Sequence, residues 1–174
     1  MKIIIVTGVP GTGKTTLSKL LAKELNFYYL DVNKLISRYK LSEGYDRKRR
    51  TMIIDAYKLN KRLINEIKLI KESNKNNKSG KFKEIKGMII DSHLSHYLPR
   101  KYADFCIVTK CDIKELNKRL KKKKFHKSKI KENIEAEIFD VCFNEAKERK
   151  HKIIAVNTTK GFNIDGLTRK LGGD

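Results

Sequence analysis

The sequence predicts an α/β fold, a five-stranded parallel sheet flanked by helices. Three observations carry that prediction. Short apolar, β-branched runs alternate along the chain with segments of helical period. The first run, Lys2 to Thr7, leads into a glycine-rich loop and then a helix, the third run, Gly87 to Asp91, ends on a carboxylate, and the elements continue to alternate to the C-terminus. Strands alternating with helices build βαβ units and hence a parallel sheet.

Each element follows from its own pattern. Lys2-Ile-Ile-Ile-Val-Thr7 reads as a strand buried on both faces. Leu17, Leu20, Leu21 and Leu25 recur at helical spacing, so a helix is expected from Lys14 to Leu25. Phe27 to Leu30 reads as a second strand, and Leu35 and Ile36 sit on a short helix that stops near Gly44. Ile54, Leu59, Leu63, Ile67 and Ile70 predict a long helix from Thr51 to about Lys71. Residues 73–84 are polar and aperiodic and are expected to form a mobile surface loop. Gly87–Asp91 and Phe105–Thr109 are the third and fourth strands, with a helix from Ile113 to about Lys122 after them. A basic stretch then leads into a helix ending near Arg149. Ile153–Val156 is the fifth strand, and Ile164–Leu171 the last helix.

Composition bounds the function. With 174 residues, one domain spanning 1–174 is expected. No apolar run nears the roughly 20 residues that span a bilayer, so an integral membrane role is excluded. The N-terminus carries no secretory pattern, and Cys106, Cys111 and Cys142 lack disulfide or zinc-site spacing, so the cytoplasm is the expected compartment. The chain has 41 Lys and Arg against 20 Asp and Glu, a net charge of +21. Such an excess favours polyanionic partners such as RNA, although a lysine-rich composition alone produces the same total.

Gly8-Val-Pro-Gly-Thr-Gly-Lys14-Thr15 has the spacing G-x-x-x-x-G-K-[ST] between a strand and an amphipathic helix. Glycines at 8, 11 and 13 let backbone N–H groups turn inward on phosphate oxygens, and the helix adds its positive end. Lys14 then reaches the outer phosphates, Thr15 ligates Mg²⁺, and Thr16 contacts the innermost phosphate. These features predict ATP binding. Asp91, at the C-terminal end of its strand, faces the ligand crevice and orients the metal's water shell. His93, two residues on, lies on the same side if the chain stays extended. His96 is expected to be structural.

Taken with Gly44-Tyr-Asp46, Asp91-Ser-His93 and Asn133-Ile-Glu-Ala-Glu137, the chain resembles the adenylate kinase isoenzyme 6 type, archaeal members included. The resemblance covers nearly the whole chain. It implies a P-loop nucleoside-monophosphate kinase fold with two mobile insertions. One is a monophosphate-binding segment at about 31–54, the other a lid at about 122–132. It implies the Mg²⁺-dependent reaction of ATP with AMP to two ADP, with Lys14, Asp91, His93 and Arg119 as catalytic residues. Gly11, Gly13, Lys14, Thr15, Thr16 and Lys123 would bind ATP, Thr15 and Asp91 the metal, and Arg38 the AMP phosphate. It also implies ATPase activity and work in small ribosomal subunit maturation, with a ribosomal protein and rRNA as partners.

The chain departs from the family pattern at two places. An Arg-Gly pair expected after Arg119-Leu120 is replaced by Lys123-Lys124, which keeps the charge but loses the guanidinium fork. The monophosphate-segment arginine falls at Ser37, with Arg38 beside it. Two other readings stay open. One is an ATP-driven ribosome assembly factor with secondary kinase activity, the other a shikimate-type small-alcohol kinase with Asp31 as base. Residues 110–131 carry eleven basic side chains against Asp112 and Glu115, far more than a triphosphate requires. Further clusters lie at 46–50 and 68–86.

Overall fold

The computed structural model describes residues 1–47, 51–76 and 84–172. Strand β1 (Lys2–Thr7) feeds helix α1 (Lys14–Glu24), followed by β2 (Tyr28–Asp31) and α2 (Val32–Arg38). Then come β3 (Ser42–Asp46), β4 (Thr51–Ile54), α3 (Ala56–Asn76), β5 (Gly87–Asp91) and β6 (Phe105–Lys110). Helices α4 (Ile113–Lys122), α5 (Lys127–Ile138) and α6 (Val141–Glu148), strand β7 (Ile153–Asn157) and α7 (Ile164–Lys170) complete the chain.

Five strands form one parallel sheet in the order β2-β5-β1-β6-β7. The expected five-stranded α/β architecture is therefore present. Alternation along β1 divides the core in two. Ile3 and Ile5 pack with Leu59, Leu63 and Ile67 of α3, whereas Ile4 and Val6 pack with Leu17 and Leu21 of α1 and Leu167 of α7. Each buried Leu, Ile or Val removes enough apolar area to be worth about 1.5–3 kcal/mol. With helices on both faces, β1 is apolar at every position from Ile3 to Val6. Because β5 lies on one side of β1 and β6 on the other, the chain order reverses at β1. Ligand crevices of open parallel sheets form at such a point, beyond the strand C-termini.

The chain differs from the expectations at three places. Thr51–Ile54 is not helical; it pairs antiparallel with Ser42–Asp46 as a hairpin. Asp55 separates this strand from α3, its Oδ1 accepting from the backbone N–H groups of Tyr57 and Lys58 at 2.7 and 3.2 Å. A capping carboxylate after three β-branched residues in four is a helix start, and the helical spacing of Ile54 with Leu59 masked it. The expected loop at 73–84 is helical up to Asn76, and Asn74 then holds Ile85 through both its backbone groups. The remainder of that loop, 77–83, lies outside the described residues, as do Lys48, Arg49 and Arg50 of the 46–50 cluster. The helix expected up to Arg149 is two helices, broken where Asp140 takes a left-handed φ of 52°. Among the described residues no helix is long and apolar enough to cross a membrane.

Candidate active site

The loop after β1 folds tightly because glycine stands where the backbone requires it. Gly8 has φ 138°, and a Cβ there would lie 2.4 Å from Thr109 Oγ1 and 2.6 Å from the Thr109 carbonyl oxygen. Gly13 caps α1 at φ 87°, with Thr158 packed against it. Gly11 turns against Leu116 and Leu120, which with Val9 form a third apolar cluster joining the loop to α4 and α5. Thr12 donates to the Val9 carbonyl at 2.7 Å and shares a 2.6 Å hydrogen bond with Thr109. The loop is thus braced by contacts within the chain, and α1 points its N-terminal end into the space the loop encloses.

That space is a cavity of about 890 Å³ at the switch point of the sheet. Gly11, Gly13, Lys14, Thr15 and Thr16 line it from the loop, Asp91 and His93 from the end of β5, and Arg119 and Lys123 from α4. The nine residues expected around ATP, the metal and the reacting phosphate therefore share one cavity.

Lys14 Nζ donates to the carbonyls of Gly8 and Val9 at 2.8 and 2.9 Å, so one of its three N–H groups is left for an incoming anion. Burial pushes its pKa down to about 8, against the pull of Cys142 and Asp91. The group is short of counter-charge, which a phosphate would supply. Asp91 is buried, and its Oδ2 accepts from the Tyr29 hydroxyl at 2.9 Å. Burial and then that carboxylate hold the Tyr29 phenol up in its neutral, donating form.

His93 lines the cavity with its side chain exposed there, packed against protein on its other side. Protein crowded around the ring, and next the Lys14 cation, push its pKa down to about 4. It is neutral near pH 7, with a nitrogen able to accept a hydrogen bond. His96 differs. Its Nδ1 lies 2.7 Å from Thr7 Oγ1 and its Nε2 2.7 Å from Glu145 Oε2, and the ring is 1% exposed. Burial lowers its pKa more than Glu145 raises it. A neutral ring donating to Glu145 and accepting from Thr7 satisfies both contacts, so His96 is a structural imidazole.

Arg119 is pinned. Its Nε donates to Glu115 at 3.0 Å, and its terminal nitrogens donate to Thr158 Oγ1 and to the carbonyls of Thr158 and Thr159 at 2.9–3.2 Å. Four of its five N–H groups are occupied, leaving one for a phosphate and a flat guanidinium face on the cavity wall. Lys123 ends α4, and the next residue, Lys124, has φ 56°. Lys124 N–H bonds to the Lys121 carbonyl and Phe125 N–H to the Leu120 carbonyl, the two bonds of a Schellman end. Lysine here occupies the left-handed position that glycine fills at least steric cost.

Two expected residues stand elsewhere. Arg38 does not line the cavity; its guanidinium lies over the Tyr39 ring at 5.7 Å. One residue along a helix turns a side chain by about 100°, and the residue of α2 that reaches the cavity is Asn33. Asp31 does not line it either, and its Oδ1 caps α2 by accepting from Asn33 and Lys34 N–H. The cavity also includes Ser92, Lys122 and Phe125, with Thr158, Gly161 and Phe162 from the loop after β7. None of these carries acid–base chemistry, and only the strand order marks the β7 loop as crevice-facing. Asn133 and Glu137 are buried: Glu137 accepts from the Cys111 N–H at 2.9 Å and meets Lys110 at 3.2 Å. Glu137 thus locks α5 to the end of β6, while Asn133 donates to the Lys129 carbonyl within α5 at 2.6 Å.

A family profile described as an AAA domain matches residues 4–140. The chain is 35% identical over 154 residues to a protein named "Putative adenylate kinase" in Methanocaldococcus jannaschii, covering 88% of this chain and 77% of that one. It is 30% identical over 145 residues to the "Adenylate kinase isoenzyme 6 homolog" of Caenorhabditis elegans, covering 83% of this chain and 72% of that one. Among solved structures, deoxyadenosine kinase from M. mycoides with bound dATP superposes with a TM-score of 0.55 at 15% identity, over 99% of this chain and 100% of that one, a likeness of fold.

Proposed function

The chain belongs to the family of archaeal adenylate kinases and adenylate kinase isoenzyme 6 homologues, and on that premise we propose that it transfers the γ-phosphoryl group of ATP to AMP, forming two ADP. One observation supports the reading above others: Lys14, Thr15, Arg119, Lys123 and Asp91 converge on a single cavity at a helix N-terminus. The phosphate oxygen of AMP is an anionic nucleophile, so the reaction needs positioning and neutralisation of charge rather than a general base.

The N–H groups at Gly11 and Gly13 and the free N–H of Lys14 bind the phosphates of ATP. Thr16, exposed at the start of α1, contacts the innermost phosphate. Arg119 offers one N–H and its planar face; Lys123 adds charge from a lid at 122–132 that closes and excludes water. Thr15 and Asp91 would hold Mg²⁺, which neutralises phosphate charge when bound; a hydroxyl and a carboxylate are the hard oxygen donors it prefers. Asn33, Ser92 and His93 border the acceptor side in place of Arg38.

The neutral His93 favours a second activity at the same cavity. With water in the acceptor position, an imidazole nitrogen of His93 accepts a hydrogen bond from it and orients it for ATP hydrolysis. The surplus positive charge supports a polyanionic partner, rRNA with its small-subunit protein, in the cytoplasm. Lys14→Ala tests the shared site: both activities are expected to vanish, and turnover retained in that variant would sink the assignment.

A further inference from the structure

A second groove, of about 780 Å³, runs along α3 and shares no residue with the nucleotide cavity. Lys58, Lys61, Arg62 and Lys68 line it, and among the described residues no carboxylate does. Leu41, Ile64 and Pro99 make it apolar between the cations. Tyr57, at its end, is 75% exposed, unusual for an aromatic ring on a folded surface.

The cations are not equivalent. Lys58 pairs with Glu43, and Arg62 pairs with Glu66 while stacking on Tyr39 at 3.4 Å. Lys61 and Lys68 make no ion pair with any described residue. Tyr57, Lys61, Asn65 and Lys68 recur at helical i, i+4, i+8 and i+11, so they share one stripe of α3. Asn60 spends an amide N–H on the Tyr97 carbonyl at 2.8 Å and its Oδ1 is buried, so the amide a ligand can reach is that of Asn65, exposed on the same stripe.

We propose that this groove binds single-stranded RNA, with backbone phosphates at Lys61 and Lys68, a base stacked on Tyr57, and the Asn65 amide at a base edge. The proposal rests on the reading of an RNA partner given above and locates where the chain engages it. Unpaired cations interleaved with an exposed ring and an exposed amide fit a strand that offers charge, a π-face and hydrogen-bonding edges together. An acidic peptide would use the lysines and leave Tyr57 without a role. A duplex would present no unstacked base to the ring.

Fluorescence anisotropy of the full chain with a labelled 12-nucleotide oligouridylate, read across a salt series, tests this. Lys61→Gln with Lys68→Gln is expected to lower the slope of log affinity against log salt by about 1.4, at roughly 0.7 per single-strand phosphate contact. Tyr57→Ala is expected to weaken binding by roughly 5- to 100-fold. Formation of ADP from ATP and AMP should stay unchanged in both variants, because neither touches the nucleotide cavity. No binding by the native chain at 0.1 M salt would overturn the RNA partner and the groove together. Native binding that these variants leave intact, but that Lys121→Gln with Lys127→Gln abolishes, would overturn the groove alone. Binding of a poly-glutamate peptide as tight as the oligonucleotide, and equally weakened by Tyr57→Ala, would overturn the nucleic-acid assignment.

Discussion

Replacing Gly8 and Gly161 by alanine separates two effects that are usually entangled. Both glycines hold positive φ, 138° and 98°, so both substitutions incur the backbone penalty of about 1–3 kcal/mol. Only Gly8 is also crowded. Its added Cβ would sit 2.4 Å from Thr109 Oγ1 and 2.6 Å from the Thr109 carbonyl oxygen, whereas nothing lies within 4 Å of one at Gly161. The carbonyl belongs to β6 and cannot rotate away, so the loop must lift from the sheet at a further cost of about 1–3 kcal/mol. Gly8→Ala should therefore destabilise by about 4 kcal/mol and Gly161→Ala by about 2 kcal/mol. At roughly 2–4 °C per kcal/mol for a chain of this length, Tm should fall by roughly 12 °C and 6 °C. Calorimetry measures both values, and titration with ATP should show a loss for Gly8→Ala of roughly 10- to 100-fold, the value of one charge-assisted hydrogen bond. Equal shifts in Tm for the two variants, or an unchanged ATP affinity in Gly8→Ala, would refute the close-packing argument for the loop.

Other predictions follow from single residues. Lys14, with its pKa lowered to about 8, is only partly protonated in the free protein at pH 8.5, and bound phosphate restores its charge. Binding of ATP should therefore take up about 0.7 proton at that pH and weaken as pH rises above 8; calorimetry in two buffers of different ionisation enthalpy reads the uptake. Lys14→Met should remove it. Replacing His93 by alanine should impair ATP hydrolysis more than ADP formation with AMP; equal losses would make the ring structural or common to both reactions. Lys124→Gly should raise stability by about 1 kcal/mol, seen as a Tm higher by roughly 2–4 °C, because glycine takes the left-handed helix end without a Cβ clash.

The strands of the main sheet were legible because each is a β-branched or apolar run bounded by turn residues, and the central strands β1, β5 and β6, buried on both faces, leave such runs little other use. The hairpin was not. Ser42–Asp46 is mostly exposed and has no clean alternation, and Thr51–Ile54 runs straight into the α3 period. The break at Asp140 was hidden because a non-glycine left-handed residue has no compositional mark. At the site, residues whose chemistry names them (Lys14, Thr15, Asp91, His93) were visible in the motif. Arg119 was visible as a charge, but the Thr158–Thr159 carbonyls that fix its fork were not. Arg38 lies off the cavity because a helix's facing is settled by what it packs on, and Val32 and Leu35, buried together, turn Asn33 to the cavity.

The measurement that bears most directly on the account is the yield of ADP per ATP consumed, with AMP present and absent and Lys14→Ala as the blank. Transfer to AMP predicts that AMP raises the yield from one ADP and one phosphate per ATP towards two ADP per ATP with phosphate suppressed, at a rate that rises with AMP until the acceptor side saturates. One ADP and one phosphate per ATP, at a rate indifferent to AMP, would contradict it and leave hydrolysis as the reaction of this cavity.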